Sequence, residues 1–202
     1  MKTTLQTAIR LLVFLGALLG IVFPAVLTLL ANTFFHAQAT GDLVRKNGVV
    51  IGSKAVGQLF VEPGYFHGRP SSAGVGYDAL ASGGSNLAAT NRSLADQVAK
   101  RAAEARREAP GKDIPVDLVT ASGSGLDPDL SPAAAMFQVD RVARERGVSR
   151  QAIVALVARK TQGQQWGIFG EPRVNVLELN MALDRDLGRG ISESSPMANR
   201  RR

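Results

Sequence analysis

The chain has 202 residues, 24 Lys and Arg against 17 Asp and Glu, a net charge of +7, no cysteine, and two histidines, His36 and His67. The missing thiols exclude a disulfide framework, a thiolate zinc site and a cysteine nucleophile. Two imidazoles nearly exclude multi-histidine metal sites and Ser-His-Asp catalysis, in which His67 would serve alone. Aromatics make up 5% and Trp166 is the single tryptophan, which argues against a stacking platform for single-stranded nucleic acid.

The first apolar run, Leu11 to Phe35, lies in a stretch with no fixed charge between Arg10 and Asp42. About 20 helical residues span a bilayer core, so it reads as a membrane helix. Pro24 sits in its middle, where the lost N–H and the ring usually kink a helix and a neighbouring helix re-satisfies the freed carbonyl. A buried helix of a soluble core would show a polar face, which this run lacks. Ala37-Gln38-Ala39 fits a signal-peptidase pattern, but the apolar run exceeds the usual signal length of about 7–15 residues, which favours a retained anchor. Arg10 abuts the run directly, which orients the N-terminus inside and the following domain outside.

After the anchor, Val49–Ile51 and Gln58–Val61 read as two strands broken at Gly52 and Gly57. Glu62–Asn91 is a long Gly-, Ser- and Asn-rich loop, and its embedded Tyr65, Phe66 and Tyr77 argue against disorder. A helix with Ser93 as its N-cap stops at Pro110-Gly111; a strand comes next at Val116–Thr120. Ala121–Pro132 is a second Gly-Ser-Pro loop whose Ser131 and Pro132 open a helix running to Arg146 and ending at Gly147. Ser149 caps the next helix, with Ile153, Leu156, Val157 and Lys160 on one face. Asn175 and Glu178 form a capping-box variant for a last helix carrying Val176, Leu179, Leu183 and Leu187, with Gly188 as its C-cap. The expected organisation is α+β: a cytoplasmic N-terminus (1–10), one transmembrane helix (11–35), one mixed helix/strand extracytoplasmic domain (36–188) and a disordered basic tail (189–202).

The charge clusters Lys100–Glu108 and Arg141–Arg146 alternate acids with bases at helical spacing, as solvated helix faces do. No Walker A motif or P-type phosphorylation sequence is present. Ser122-Gly123-Ser124-Gly125 with Asp127 and Asp129 reads either as a phosphate or cation cradle or as a tight turn in which Asp127 bonds its own backbone. Ser82-Gly83-Gly84-Ser85 allows the same two readings and is similar to the core of transporter-ATPase signature loops. Residues 143–157 match a DNA-binding helix-turn-helix, with Arg150 and Gln151 as the base-reading groups; the apolar Ile153–Val157 favours a core helical hairpin instead.

Taken together, QLFVEPGYFHGRPSSA from Gln58, SGGSNLAATN from Ser82, DLVTASGSGLDPDLSPAAA from Asp117 and GEPRVNVLELNMALD from Gly170 closely resemble the C subunit of the Kdp potassium-transporting ATPase. With the single N-terminal helix, the resemblance covers about residues 1–187. Asp129-Leu130 stands where this family usually shows His-Ile, and Ala88-Ala89 where Gly-Pro is common.

The resemblance implies a non-catalytic accessory subunit of a high-affinity, ATP-driven potassium uptake complex in the bacterial inner membrane. It would assemble with a channel-like potassium-binding subunit and a P-type ATPase subunit and raise ATP affinity as a catalytic chaperone. It implies no covalent cofactor, no metal and no nucleic acid, and ATP- or nucleotide-binding only through the ATPase subunit. An outward-facing domain cannot touch cytoplasmic nucleotide, so such assistance would act through coupling between states of the transporter. The residues expected to carry interaction are Tyr65, Phe66, Arg69 and Pro70, of types enriched at interface hot spots. To these the family motifs add Ser82, Gly83, Gly84, Ser85 and Asn86, with Ser122, Gly123, Ser124, Gly125 and Asp127. The alternatives from other classes are a membrane-anchored DNA-binding regulator built on residues 143–157, and an anchored hydrolase, disfavoured by the shortage of nucleophile-base pairs.

Overall fold

A run with no polar face and no early stop signal has little choice but to continue as helix. In the computed structural model, which describes residues 2–188, a helical rod occupies Lys2–Phe34. It comprises α1 (Lys2–Ala17), a π-helical turn (Leu18–Val22) and α2 (Phe23–Phe34). The π turn stands just before Pro24, and there the Phe23 N–H reaches back to the Leu18 carbonyl. Widening the turn is how the rod accommodates the proline ring. Asn32 and Thr33 satisfy their side chains on the carbonyls of Thr28 and Leu29, as polar groups in an apolar helix must. No residue of the rod is buried within the structure, and at about 1.5 Å per residue it is longer than a bilayer core requires.

Residues up to Ile51 form one compact unit and those from Gly52 a second. The first unit continues with a short helix α3 (His36–Ala39), then strand β1 (Leu43–Lys46), which pairs with β2 (Val49–Ser53). Asn47 and Gly48 make the two-residue turn between them with φ of 52° and 79°, the left-handed pair that an Asn-Gly hairpin turn takes. The strand expected at Val49–Ile51 is therefore present, but its partner is the segment before it. Gln58–Val61 is not a strand; just before it the Gly57 N–H donates to the Leu126 carbonyl at 2.7 Å, which draws the chain towards the loop 122–127.

In the second unit three helices enclose the core: α5 (Pro132–Arg146), α6 (Arg150–Lys160) and α7 (Val176–Asp186). Each begins as its sequence dictates. Ser131 Oγ accepts from the Ala134 N–H, Ser149 Oγ from Ala152 and Asn175 Oδ1 from Glu178. Such caps each contribute about 1 kcal/mol. Helix α5 stops where Gly147 takes φ +63°, the left-handed residue that lets a following chain turn away. Helix α7 ends one residue earlier than expected, with Leu187 as C-cap and Gly188 (φ +75°) beyond it.

These helices pack on a small antiparallel sheet of order β3-β5-β4, comprising β3 (Asp129–Leu130), β4 (Thr161–Gln162) and β5 (Arg173–Asn175). Its register pairs Leu130 with Val174 and Thr161 with the same Val174, which puts Val174 at the centre, fully buried. Val139, Val142, Ile153, Leu156, Leu179 and Leu183 complete a closed interior, each worth about 1.5–3 kcal/mol on burial. Phe66, from the long loop, is inserted into it.

Helix α4 (Arg92–Glu108) lays only a half-buried stripe, including Leu94, Val98 and Ala102, and is capped by Asn91 rather than Ser93. The strand expected at Val116–Thr120 is a single 3-10 turn, Val116–Leu118. Val116 is exposed there, and the Val119 and Thr120 amides bond back to its carbonyl instead of to a neighbouring strand. The expected tail, 189–202, lies outside the described residues.

Candidate functional site

The long loop does not hang free; side chains of α5 and α7 hold it by its backbone. We call residues 62–68 the strap. Arg141 donates to the Pro63 carbonyl, to the Tyr65 carbonyl at 2.9 Å and to Gln138 Oε1 at 2.7 Å, and pairs with Glu108. Arg146 donates to the Gly64 carbonyl at 2.6 Å and pairs with Asp184 at 2.9 Å, its guanidinium lying 4.5 Å from the Tyr65 ring centroid. Asp184 also accepts from the Tyr65 hydroxyl at 3.0 Å. Asn180 makes two bonds to the Phe66 backbone, and Gln138 two to the His67 backbone.

The Arg146 side chain is only 2% exposed. A cation so buried is tolerable because each of its donor groups has a partner, two carbonyls and a carboxylate. Burial and the neighbouring Asp184 push the Tyr65 hydroxyl above its ordinary value, so it remains a donor. Burial and then Arg141 hold the His67 imidazole below its own. Its Nε2 lies 3.1 Å from the Glu62 carbonyl, a contact suited to the neutral ring with Nε2 protonated.

Beyond the strap, residues 69–85 are joined to the loop 122–127. Arg69 and Asp127 form an ion pair at 2.9 Å, and the Tyr77 hydroxyl donates to the Arg69 carbonyl at 2.7 Å. Burial, then the Asp127 charge, pushes that hydroxyl up to about 12. Ser71 Oγ donates to the Gly125 carbonyl at 2.6 Å while accepting from the Ala73 and Tyr77 amides. The Gly83 amide and the Ser82 hydroxyl both donate to the Ser124 carbonyl, at 2.8 and 3.0 Å. Gly125 is required twice over: its φ is +67°, and a Cβ would stand 2.6 Å from the Ala73 nitrogen and 2.7 Å from the Gly83 oxygen.

The residues singled out by sequence thus fall into three groups. Phe66 is wholly buried and belongs to the core, so its side chain offers no surface to a partner. Tyr65, Arg69, Pro70, Gly83, Gly84, Ser85 and Asp127 are half-buried, Ser122 and Gly125 buried. Ser82, Asn86, Gly123 and Ser124 are exposed. The structure brings the 82–84 and 122–125 segments against each other, Gly84 packing on Gly123.

A phosphate cradle would aim its amides outward. Here the Gly83 and Gly125 N–H groups already donate to protein carbonyls, and Asp127 Oδ1 accepts from the Asp129 amide in a local turn. Asp129, whose carboxyl burial pushes above the usual range, bonds Asn175 and pairs with Arg173. Among the described residues no group of three His, Asp or Glu is placed to hold a metal. Within the helix-turn-helix-like stretch, α6 buries Ile153, Leu156 and Val157 in the core and Arg150 pairs with Asp140 of α5. It is a core helical hairpin.

Sequence reasoning passed over Gln138, Asn180 and Asp184, and its reading of Arg141–Arg146 as a solvated helix face is corrected, since Arg141 and Arg146 are buried on the strap. The signal was present: Asn180 stands four residues after Val176 and three before Leu183, a polar residue on the apolar face of α7.

The fold and site define an α+β protein with a long N-terminal apolar helix, in which a long loop is fixed to a small helical domain by polar side chains. Comparison with known proteins agrees in extent. A family model described as K+-transporting ATPase, c chain, matches residues 5–185. The chain is 53% identical over 184 residues to the potassium-transporting ATPase KdpC subunit of Koribacter versatilis, covering 91% of this chain and 95% of that one. It is 51% identical over 186 residues to the protein of that name from Rhodospirillum rubrum, covering 91% and 96%, and 50% identical over 181 residues to that of Acidobacterium capsulatum, covering 90% and 97%. The chain belongs to the KdpC family.

Proposed function

We propose that this protein is the C subunit of a potassium-transporting ATPase in the inner membrane, assembling with its P-type ATPase subunit and its channel-like, potassium-binding subunit. The observation that carries the reading is the extent of the family match, residues 5–185, which takes in both the apolar rod and the domain. The subunit supplies no chemistry of its own. The Ser82 and Ser124 hydroxyls and the Gly83 and Gly125 amides are engaged within the chain, and the sequence has no cysteine nucleophile.

The N-terminus lies in the cytoplasm and the domain outside, as Arg10 beside the apolar run favours. ATP affinity of the complex then depends on this subunit through coupling: it binds one state of the transporter better than another, and the nucleotide site feels the shift. A C-terminally tagged chain pulled down in mild detergent from potassium-starved cells will bring both larger subunits with it. The complex lacking the chain will need more ATP for half-maximal activity. Because the chain has no cysteine, a Val75→Cys variant will be labelled by an impermeant thiol reagent on intact cells. Recovery of the chain alone would remove the assembly reading, an unchanged ATP dependence the coupling, and labelling only after lysis the orientation.

A further inference from the structure

The connection between β4 and β5 projects from the domain, with every residue from Gln162 to Arg173 exposed. Its end is closed by a narrow turn. Gln165 and Phe169 pair antiparallel with N–H to O=C bonds of 2.8 and 3.0 Å, and the Gln164 side-chain amide donates to the Gly170 carbonyl at 2.9 Å. Trp166 and Gly167 turn the chain with φ of 53° and 73°, a conformation that bulky residues seldom adopt.

The tip so built displays Trp166 at 89%, Ile168 at 74% and Phe169 at 58% exposure. The Trp166 and Phe169 rings meet edge to face with centroids 6.0 Å apart. No side chain from Thr161 to Gly170 is charged. Ile168 closes the turn, its N–H donating to the Gln165 carbonyl at 3.1 Å, and Phe169 follows as the bridge residue, so Trp166, Ile168 and Phe169 together make one apolar tip.

The flanks carry the complementary charge. Arg159, Lys160 and Arg173 against Glu171 give a net charge of +2 over residues 159–173 (three cations less one acid). Arg159 and Arg173 pair with Asp186 and Asp129 yet keep 64% and 44% of their side chains exposed. An uncharged tip with a tryptophan above a basic collar matches an apolar layer beneath anionic headgroups. The N-terminal rod, apolar and long enough to span a bilayer, tethers the rest of the chain to that surface.

We propose that the Trp166–Phe169 hairpin tip inserts into the headgroup region of the membrane, giving the domain a second lipid contact besides its anchor. The inference rests on the membrane anchorage proposed above and not on assembly with other subunits. Trp166 is the only tryptophan, so its fluorescence reports the tip alone. The test uses the full chain, alone, in nanodiscs of phosphatidylethanolamine and phosphatidylglycerol. Insertion predicts blue-shifted emission, loss of most of it when the acyl chains are brominated, and weak quenching by aqueous acrylamide. Replacing phosphatidylglycerol with phosphatidylcholine will reduce the brominated-lipid quenching.

An Ile168→Ser/Phe169→Ser variant keeps the probe and replaces only exposed side chains. It will shift to water-like emission while retaining the circular dichroism of the parent. Water-like, acrylamide-quenched emission from the parent chain, indifferent to bromine, overturns the proposal. So does a blue shift in the assembled complex without brominated-lipid quenching, which would place the tip in a protein socket. Brominated-lipid quenching in a chain that recovers no partner subunits would uphold the insertion while removing the assembly reading.

Discussion

Asn180 holds Phe66 by both of its backbone polar groups: the Phe66 N–H donates to Oδ1 at 2.9 Å, and Nδ2 donates to the Phe66 carbonyl at 2.9 Å. Both partners are buried, and water cannot replace either bond. An Asn180→Leu change, close in volume, strands two backbone groups that each cost about 1–3 kcal/mol when unsatisfied. The expected loss is about 2–4 kcal/mol by denaturant unfolding of the detergent-solubilised chain. A midpoint equal to that of the parent would show that the strap is not held this way.

Gly125 and Gly123 lie two residues apart in one loop and should respond to alanine very unequally. Gly125 combines φ +67° with a Cβ clash against Ala73 and Gly83, whereas Gly123 has open space around it and no positive φ. Gly125→Ala should destabilise by about 1–3 kcal/mol or more and Gly123→Ala by less than about 0.5 kcal/mol. Thermal melts of the two variants side by side measure the contrast.

Acid should weaken the strap through His67. Burial and Arg141 hold the folded imidazole below its ordinary 6.5, so the unfolded chain takes up the proton first. Stability therefore falls as pH drops through about 6.5, by at most about 1.4 kcal/mol per pH unit, and this contribution levels off below the folded value. Arg141 raises the penalty and Glu108, its ion-pair partner, offsets part of it. A His67→Gln variant should lose this part of the pH slope; an unchanged slope between pH 7 and 5 would assign the acid sensitivity to other groups.

The Arg69–Asp127 pair joins the long loop to residues 122–127, and both side chains are about one-quarter exposed. A double-mutant cycle with Arg69→Ala and Asp127→Ala should give a coupling of about 1 kcal/mol, the upper end for partly exposed pairs. Arg69→Ala should also reduce copurification of the larger subunits or potassium-dependent ATPase activity. Copurification and activity both equal to the parent would restrict the pair to loop stability.

What could be read from the sequence was whatever rests on local chemistry. Ser131-Pro132, Ser149 and Asn175 with Glu178 mark helix starts by capping alone, and Gly147 marks an end by its backbone freedom. The absence of charge from Leu11 to Phe35 marks the rod. The three-stranded sheet was not legible, because strands of two or three residues carry no alternation; pairing of Val174 with Leu130 and Thr161 is set by distant segments. The 116–120 segment was misread for the same reason, since a short β-rich run with no neighbour to pair with settles into a turn. The loop motifs are visible as Gly- and Ser-rich segments, yet that 82–84 bonds to 122–125, and that the strap is held by side chains of α5 and α7, depends on residues far along the chain.

That division has an evolutionary corollary. Arg141 and Arg146 grip the strap at the carbonyls of Pro63, Gly64 and Tyr65, and Gln138 grips the peptide of His67, so what is recognised there is main chain common to every amino acid. Mutational drift at positions 63 and 67 should consequently be cheap so long as the backbone path survives, whereas drift at Gln138, Arg141 or Arg146 removes the grip itself. In a collection of functional variants, Gln138, Arg141 and Arg146 should be constrained and positions 63 and 67 permissive, while Tyr65 and Phe66, whose side chains are themselves held, should not be.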